Sequence, residues 1–201
     1  MLKIYGTSRS RATRSLWAAE EFGVPFEHIP TAVADTRSPA YLKINPNGHI
    51  PAIDDDGVVL SESMAINLYL AEKHGKPPLW PQNVAERGRI FQWSFWGMLE
   101  CESHIIQIFF IRFTQPEGKR DEKAIAAAYE ALKKPLAVLD AHLKDRQFLL
   151  GPAFTVADLN VAGVLILAPM AQVDLSSTPN VQGWLDRCLA RPALQKARAM
   201  K

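Results

Sequence analysis

Three short stretches of this chain carry side chains that could do chemistry on a peptide-sized ligand. The first is Ser61-Glu62-Ser63, which opens a segment with Met64, Ile66, Leu68 and Leu70, too rich in Ala, Leu and Met for a strand. A helix starting there aims free N–H groups and about half a positive charge at whatever precedes it, which makes Ser63 a carboxylate site. Glu62 beside it can take an ammonium, so the pair matches an amino-acid zwitterion. The second is Ile50-Pro51. A proline at the head of a strand leaves the preceding carbonyl and amide free to pair with an extended peptide. The third is Gly6-Thr7-Ser8-Arg9-Ser10, a polar break between an apolar strand and a helix, with Arg11 and Arg14 just beyond it. Each has a purely structural reading as well: Ser63 and Ser10 as helix caps, Pro51 as a blunted sheet edge.

Such groups need a scaffold, and the local patterns describe one. Leu2–Tyr5 reads as a strand, Ala12–Phe22 as a helix ended by Gly23, and residues 24–29 as a second strand. That is a βαβ unit, most simply parallel with a right-handed crossover. Residues 31–38 read as a loop and 39–44 as a short helical turn. Asn45-Pro46-Asn47-Gly48 reverses the chain, and Asp55-Asp56-Gly57 turns it again between the apolar runs 51–53 and 58–60, forming a hairpin ahead of the Ser63 helix. The first domain is thus β-α-β-α-β-β-α over residues 1–75.

Gly75-Lys76-Pro77-Pro78 cannot continue a helix, and with Pro81 it predicts a stiff linker over residues 76–84. Beyond it no strand-like alternation appears, so residues 85–201 are expected to be all-helical. Residues 85–112 carry Trp93, Phe95, Trp96, Leu99, Ile105, Ile106, Phe109 and Phe110 on more than one face, as in a helix buried on two sides. Residues 121–143 show Leu132, Leu136, Leu139 and Leu143 at spacings of three and four, with Pro135 placed to kink the helix. Thr155-x-x-Asp158 is a capping box, with Phe154 able to staple onto Leu159, and the Ala, Val and Leu-rich helix it opens should be central in its bundle. Two short helices are expected over residues 179–189 and 193–199.

Composition narrows the function. With 201 residues, 48% hydrophobic and 22% charged, and a net charge of +2, the chain has an ordinary globular make-up and no field for nucleic acid or an anionic membrane. No run of about 18 apolar residues is present, and Met1-Leu2-Lys3-Ile4 is too short for a signal peptide, so a cytoplasmic location is expected. Cys101 and Cys188 lie far apart and show no metal-ligand or redox spacing, so no metal is expected and any reactive sulfur should come from a ligand.

The stretch Asn45-Pro46-Asn47-Gly48-His49-Ile50-Pro51, the hairpin, Glu62-Ser63 and the following helix resemble the glutathione-binding core of the soluble glutathione S-transferases. The Thr155-x-x-Asp158 box resembles the one that opens the central helix of that family's second domain, and the likeness runs through the whole chain. It points to the bacterial serine-type members, phi-, theta- and beta-like. The fold implied is α/β plus all-α: a thioredoxin-like N-terminal domain, then an all-helical C-terminal domain that binds the acceptor.

In that family the proline is cis, the residue before it pairs with the cysteinyl backbone of glutathione, and the Glu-Ser pair holds the γ-glutamyl end. The resemblance therefore implies these roles for Pro51, Ile50, Glu62 and Ser63. The loop after the first strand carries the residue that hydrogen-bonds the glutathione sulfur. Aligning Lys3-Ile4-Tyr5-Gly6 and Ala12-Thr13-Arg14 places Ser10 there, with Ser8 and then Tyr5 as alternates. Lys43 and His49 are candidates for the glycyl carboxylate. Arg9, Arg11 and Arg14 could support a thiolate or the carboxylates, make a dimer salt bridge, or form a solvated face. Trp96, Leu99 and Phe110, with Trp93, sit on the helix that in this family contributes to the acceptor cleft and the dimer contact.

The implied reaction is detoxifying conjugation of glutathione, as co-substrate, to an electrophilic apolar compound by a cytoplasmic homodimer. A glutathione-dependent isomerase or peroxidase is the alternative on the same fold, and a non-catalytic interaction module is a third. Thr7-Ser8-Arg9-Ser10 lacks the Ser-Ser-Cys run of the zeta-type isomerases, and a pure scaffold would need none of the three ligand-directed stretches.

Overall fold

A computed structural model describes residues 1–200, which form two compact units. The first holds residues 1–82 together with a terminal segment that begins at Ala190; the second is Asn83–Leu189.

In the first unit, strands β1 (Leu2–Tyr5), β2 (Phe26–Ile29), β3 (Ala52–Asp55) and β4 (Val58–Ser61) make one sheet in the order β2-β1-β3-β4. The β1–β2 pair is parallel and the other two are antiparallel, as a βαβ unit followed by a hairpin requires. Helix α1 (Ala12–Phe22) buries Leu16 and Trp17 and packs on α3 (Ser63–His74), which buries Ile66 and Leu70. Helix α2 (Pro39–Leu42) is one turn, capped by the Ser38 hydroxyl, which accepts from the Tyr41 amide at 3.3 Å. The second strand starts two residues later than its pattern predicts. The Val24 amide is spent on the Ala19 carbonyl at the end of α1, and Pro25 has no amide to give. A 3-10 turn, Val33–Arg37, occupies the stretch expected to be loop.

Two expectations about the domain limits need correction. Most of the predicted stiff linker lies inside the first unit, which runs to Gln82: Trp80 is buried, and its indole donates to Glu72 Oε2 at 3.1 Å. The last helix, α9 (Pro192–Ala199), belongs to the first unit rather than to the helical one, because Leu194 and Ala197 are buried and it packs along α1.

The second unit is all-helical among the described residues. Its helices are α4 (Val84–Trp96), α5 (Ser103–Thr114), α6 (Glu122–Leu143), α7 (Val156–Leu165) and α8 (Pro179–Leu189). The single helix predicted over residues 85–112 is present as α4 and α5 joined by a π-helical stretch, Gly97–Glu102. A β-carbon on Gly97 would lie 3.6 Å from both Val161 and Val164, so the wide turn occurs where the backbone runs close against α7. One side of this long element points inward through Ile90, Cys101, Ile105 and Ile108. On the other, Phe95 is 59%, Leu99 75% and Phe110 55% exposed, so the second apolar side is uncovered in the single chain. No helix among the described residues is long and apolar enough to cross a membrane.

All ten residues of α7 are buried, as expected of a central helix, and Asp158 at its start ties three segments together. One carboxylate oxygen accepts from the Leu149 amide at 2.8 Å and the Trp184 indole at 2.9 Å. The other accepts from the Thr155 amide at 2.9 Å and hydroxyl at 3.0 Å. Burial pushes this carboxyl above the usual range, and the four donors pull it back without cancelling that effect. Replacing Asp158 by Ala strands four buried donors and is expected to destabilise the protein by roughly 2–4 kcal/mol. Asp158→Asn, which keeps one acceptor oxygen, should fall between. Urea unfolding reports this as a lower midpoint at unchanged slope; a midpoint that stays at the wild-type value would remove Asp158 as the tie.

Candidate functional site

Strand register brings the three ligand-directed stretches to one end of the sheet. Tyr5 pairs with Ala52, and Ala52 pairs with Ser61. One step further along each strand stand Gly6, Pro51 and Glu62, so the first loop, the Ile50-Pro51 turn and the start of α3 are neighbours across three strands. Contact is close between the first two. Gly6 has φ +132°, and a β-carbon on it would lie 2.5 Å from Ala12 Cβ and 3.2 Å from Ile50 Cβ. Only glycine fits there.

The Ile50-Pro51 peptide is cis, as the resemblance implies. The segment leading into it is held by its backbone: the His49 carbonyl accepts from the Tyr41 hydroxyl and from Asn45 Nδ2, each at 2.7 Å. Burial, with a smaller contribution from Tyr5 stacked edge-on at 6.3 Å, pushes the Tyr41 phenol up to about 12, so it remains a donor across the working range. Among the described residues neither the Ile50 amide nor its carbonyl has a hydrogen-bond partner, which leaves both for an added strand.

At the start of α3, Glu62 is exposed and holds φ +69°, ψ 112°, a conformation that costs a non-glycine residue about 1–3 kcal/mol. Ser63 is buried, and its hydroxyl lies 3.4 Å from Arg14 Nη1. Arg14 itself is only 2% exposed, so it is neither a solvated face nor a surface pair; it puts a buried cation beneath the helix start. Arg9 and Arg11 are exposed.

In the first loop, the Ser10 hydroxyl donates to the Thr7 carbonyl at 2.8 Å and accepts from the Ala12 amide at 3.1 Å. It therefore does serve the start of α1, the structural role open to it from sequence. The Ser8 hydroxyl points elsewhere, to the Met200 carbonyl at 2.5 Å. Tyr5 is a strand residue whose ring packs on Tyr41. Lys43 and His49 are both exposed on the segment between α2 and the cis peptide. Arg37, which no sequence signal singled out, joins them: its guanidinium donates to the Asn47 carbonyl at 3.3 Å. Only the folded path of the 3-10 turn brings it there.

Trp96, Leu99 and Phe110 lie in the second unit. Trp96 is half-buried and edge-on to Trp93 at 5.0 Å, whereas Leu99 and Phe110 are exposed. Both cysteines are buried, and burial, with Glu100 adding to it, pushes the Cys101 thiol up to about 12. A thiol so placed is not a nucleophile. His28 holds the Gly6 carbonyl at 2.7 Å and His142 the Leu149 carbonyl at 2.8 Å, both structural bonds.

Two family models match the chain: glutathione S-transferase, N-terminal domain, over residues 1–72, and glutathione S-transferase, C-terminal domain, over residues 101–192. Glutathione S-transferase 1 of Zea mays is 33% identical over 99% of this chain and 96% of its own length. Glutathione S-transferase GstB of Escherichia coli is 28% identical over 98% and 97%. The theta-class glutathione S-transferase of Xanthomonas axonopodis pv. citri, solved with glutathione bound, superposes with a TM-score of 0.90 at 32% identity, covering 100% of this chain and 98% of that one. With both domain models matched and relatives aligned end to end, the chain belongs to the glutathione S-transferase family.

Proposed function

We propose that this protein is a glutathione transferase that joins the glutathione sulfur to an electrophilic apolar compound. The observation that carries the reading is the register that gathers the serine loop, the unpaired Ile50 peptide groups and the Glu62-Ser63 helix start at one sheet end. Glutathione, the co-substrate, has a matching sequence of groups. Glu62 takes the γ-glutamyl ammonium, while the Ser63 hydroxyl and the first amides of α3 take the adjacent carboxylate over the buried Arg14. The Ile50 amide and carbonyl pair with the cysteinyl backbone. Lys43 and His49, with Arg37, supply positive or donor groups for the glycyl carboxylate.

Ser10 meets the sulfur. A free thiol of pKa about 8.5 is only a few per cent ionised at neutral pH, and the thiolate is the attacking species. Lowering that pKa by about two units takes roughly 2.7 kcal/mol of preferential stabilisation of the anion. A hydroxyl donating to the charged sulfur in place of the Thr7 carbonyl, together with the positive end of α1, is of that size. The thiol proton leaves to solvent, and the thiolate then forms the S–C bond as the acceptor's leaving group departs or its double bond takes the electron pair. The acceptor side is built from Trp96, Leu99 and Phe110, an apolar set that selects by shape.

The reading includes the detoxifying, cytoplasmic role implied by the resemblance, and a homodimer. Supporting the dimer, Phe91, Phe95 and Leu99 are exposed at four-residue spacing along one stripe, with Val84 at its head.

Four measurements test this. Ser10→Ala should lower turnover about 10- to 1000-fold and shift the pH–rate profile upward with glutathione affinity nearly intact; a wild-type thiol pKa and rate would remove Ser10 from the sulfur. Glu62→Ala should weaken glutathione binding by roughly 1.5–3 kcal/mol in titration calorimetry, and unchanged affinity would take Glu62 out of the site. Glu62→Gly should lose the same affinity yet unfold at a higher temperature than Glu62→Ala, because glycine removes the cost of the positive φ. Light scattering at micromolar concentration should give twice the 22.4 kDa chain mass, and a mass near one chain would count decisively against the dimer.

A further inference from the structure

The segment that ends the described residues is fastened to the loop that carries Ser10. Glu21 on α1 accepts from Arg191 Nε at 2.5 Å and from Arg191 Nη2 at 2.8 Å, and also from the Trp17 indole at 2.9 Å. Lys196 lies 3.6 Å from Glu20 one residue back, and Leu194 and Ala197 on the same helix are buried. So docked, α9 delivers the Met200 carbonyl to the Ser8 hydroxyl. Ser8 is inside the turn that the Ser10 amide closes on the Thr7 carbonyl at 3.1 Å, and its own carbonyl accepts from the Thr13 hydroxyl. The turn is thus held from α1 on one side and from Met200 on the other.

We infer that α9 is a positioning element of the thiol site: clamped on α1 by Glu21 and Arg191, it holds the Ser8 turn through Met200 and thereby aims the Ser10 hydroxyl. This rests on the assignment of Ser10 to the sulfur. It gives Ser8, the alternate sulfur ligand, a different task, and makes α9 part of a site built on β1 and α1.

The test uses the full chain and follows the pKa of bound glutathione by thiolate absorbance, with affinity from calorimetry. Ser8→Ala should raise that pKa by about 0.5–1 unit, less than Ser10→Ala does, with affinity within about twofold. Ser8→Thr, which keeps a hydroxyl, should stay at the wild-type value. Arg191→Glu should match Ser8→Ala, and the reversed pair Glu21→Arg/Arg191→Glu should restore the pKa, which separates docking from general damage to the fold. In a Ser10→Ala background Ser8→Ala should add nothing. A wild-type pKa in Ser8→Ala overturns the inference, as does an undiminished further shift in the Ser10→Ala background, which would mean that Ser8 acts on the sulfur itself. If Ser10→Ala alone leaves the pKa unmoved, the Ser10 assignment fails first; any Ser8→Ala shift then marks Ser8 as the sulfur ligand and overturns the positioning role too.

Discussion

The site depends on one close approach. At Gly6 the backbone leaving the first strand passes between Ala12 and Ile50 with no room for a β-carbon. Any side chain there would drive the serine loop away from the cis-proline turn. Because close-packed interiors do not yield smoothly, such a displacement would spread into α1, whose first residue is one of the two walls. The lack of a side chain at this one position lets the serine loop lie beside the cis-proline turn.

Around that contact several buried polar groups of the first unit hold the scaffold itself. Tyr41 and Asn45 fix the His49 carbonyl. Asp55, at the far end of β3, accepts from Tyr69 at 2.8 Å and Lys73 at 2.5 Å. Burial raises the carboxyl of Asp55, but these two partners outweigh it and hold the group below the usual carboxylate range. Glu62 and the Ile50 peptide are by contrast strained and, among the described residues, unpaired, respectively. This division is expected of a binding site: its cost is carried by a scaffold whose own bonds are satisfied.

The second unit follows a different rule. Its centre is an apolar helix anchored by one buried carboxylate, and its long α4–π–α5 element is satisfied on one side only. Exposed aromatic and aliphatic side chains grouped in this way are characteristic of interaction surfaces.

Local sequence determined most of the elements. Limits of Leu2–Tyr5, Ala12–Phe22 and Pro179–Leu189 coincide with their predicted ones, and the Thr155–Asp158 capping box is present as read, because each rests on periodicity and on caps a few residues away. The local backbone of the three candidate stretches was legible for the same reason: a turn, a proline and a helix start are local. Tertiary structure alone decided where they meet. That α9 leaves the helical unit for α1, that Trp80 anchors the supposed linker, that Arg14 is buried beneath Ser63 and that Arg37 joins Lys43 and His49 all depend on partners distant in sequence. So does the difference between the partners of the two serines. In sequence Ser8 and Ser10 are two hydroxyls on one loop; in the fold one is taken by Met200, nearly the whole chain away, and the other stays at the head of α1. Local patterning specifies which backbone each segment adopts, but a hydroxyl's partner is set by which distant carbonyl the packing brings within hydrogen-bond reach.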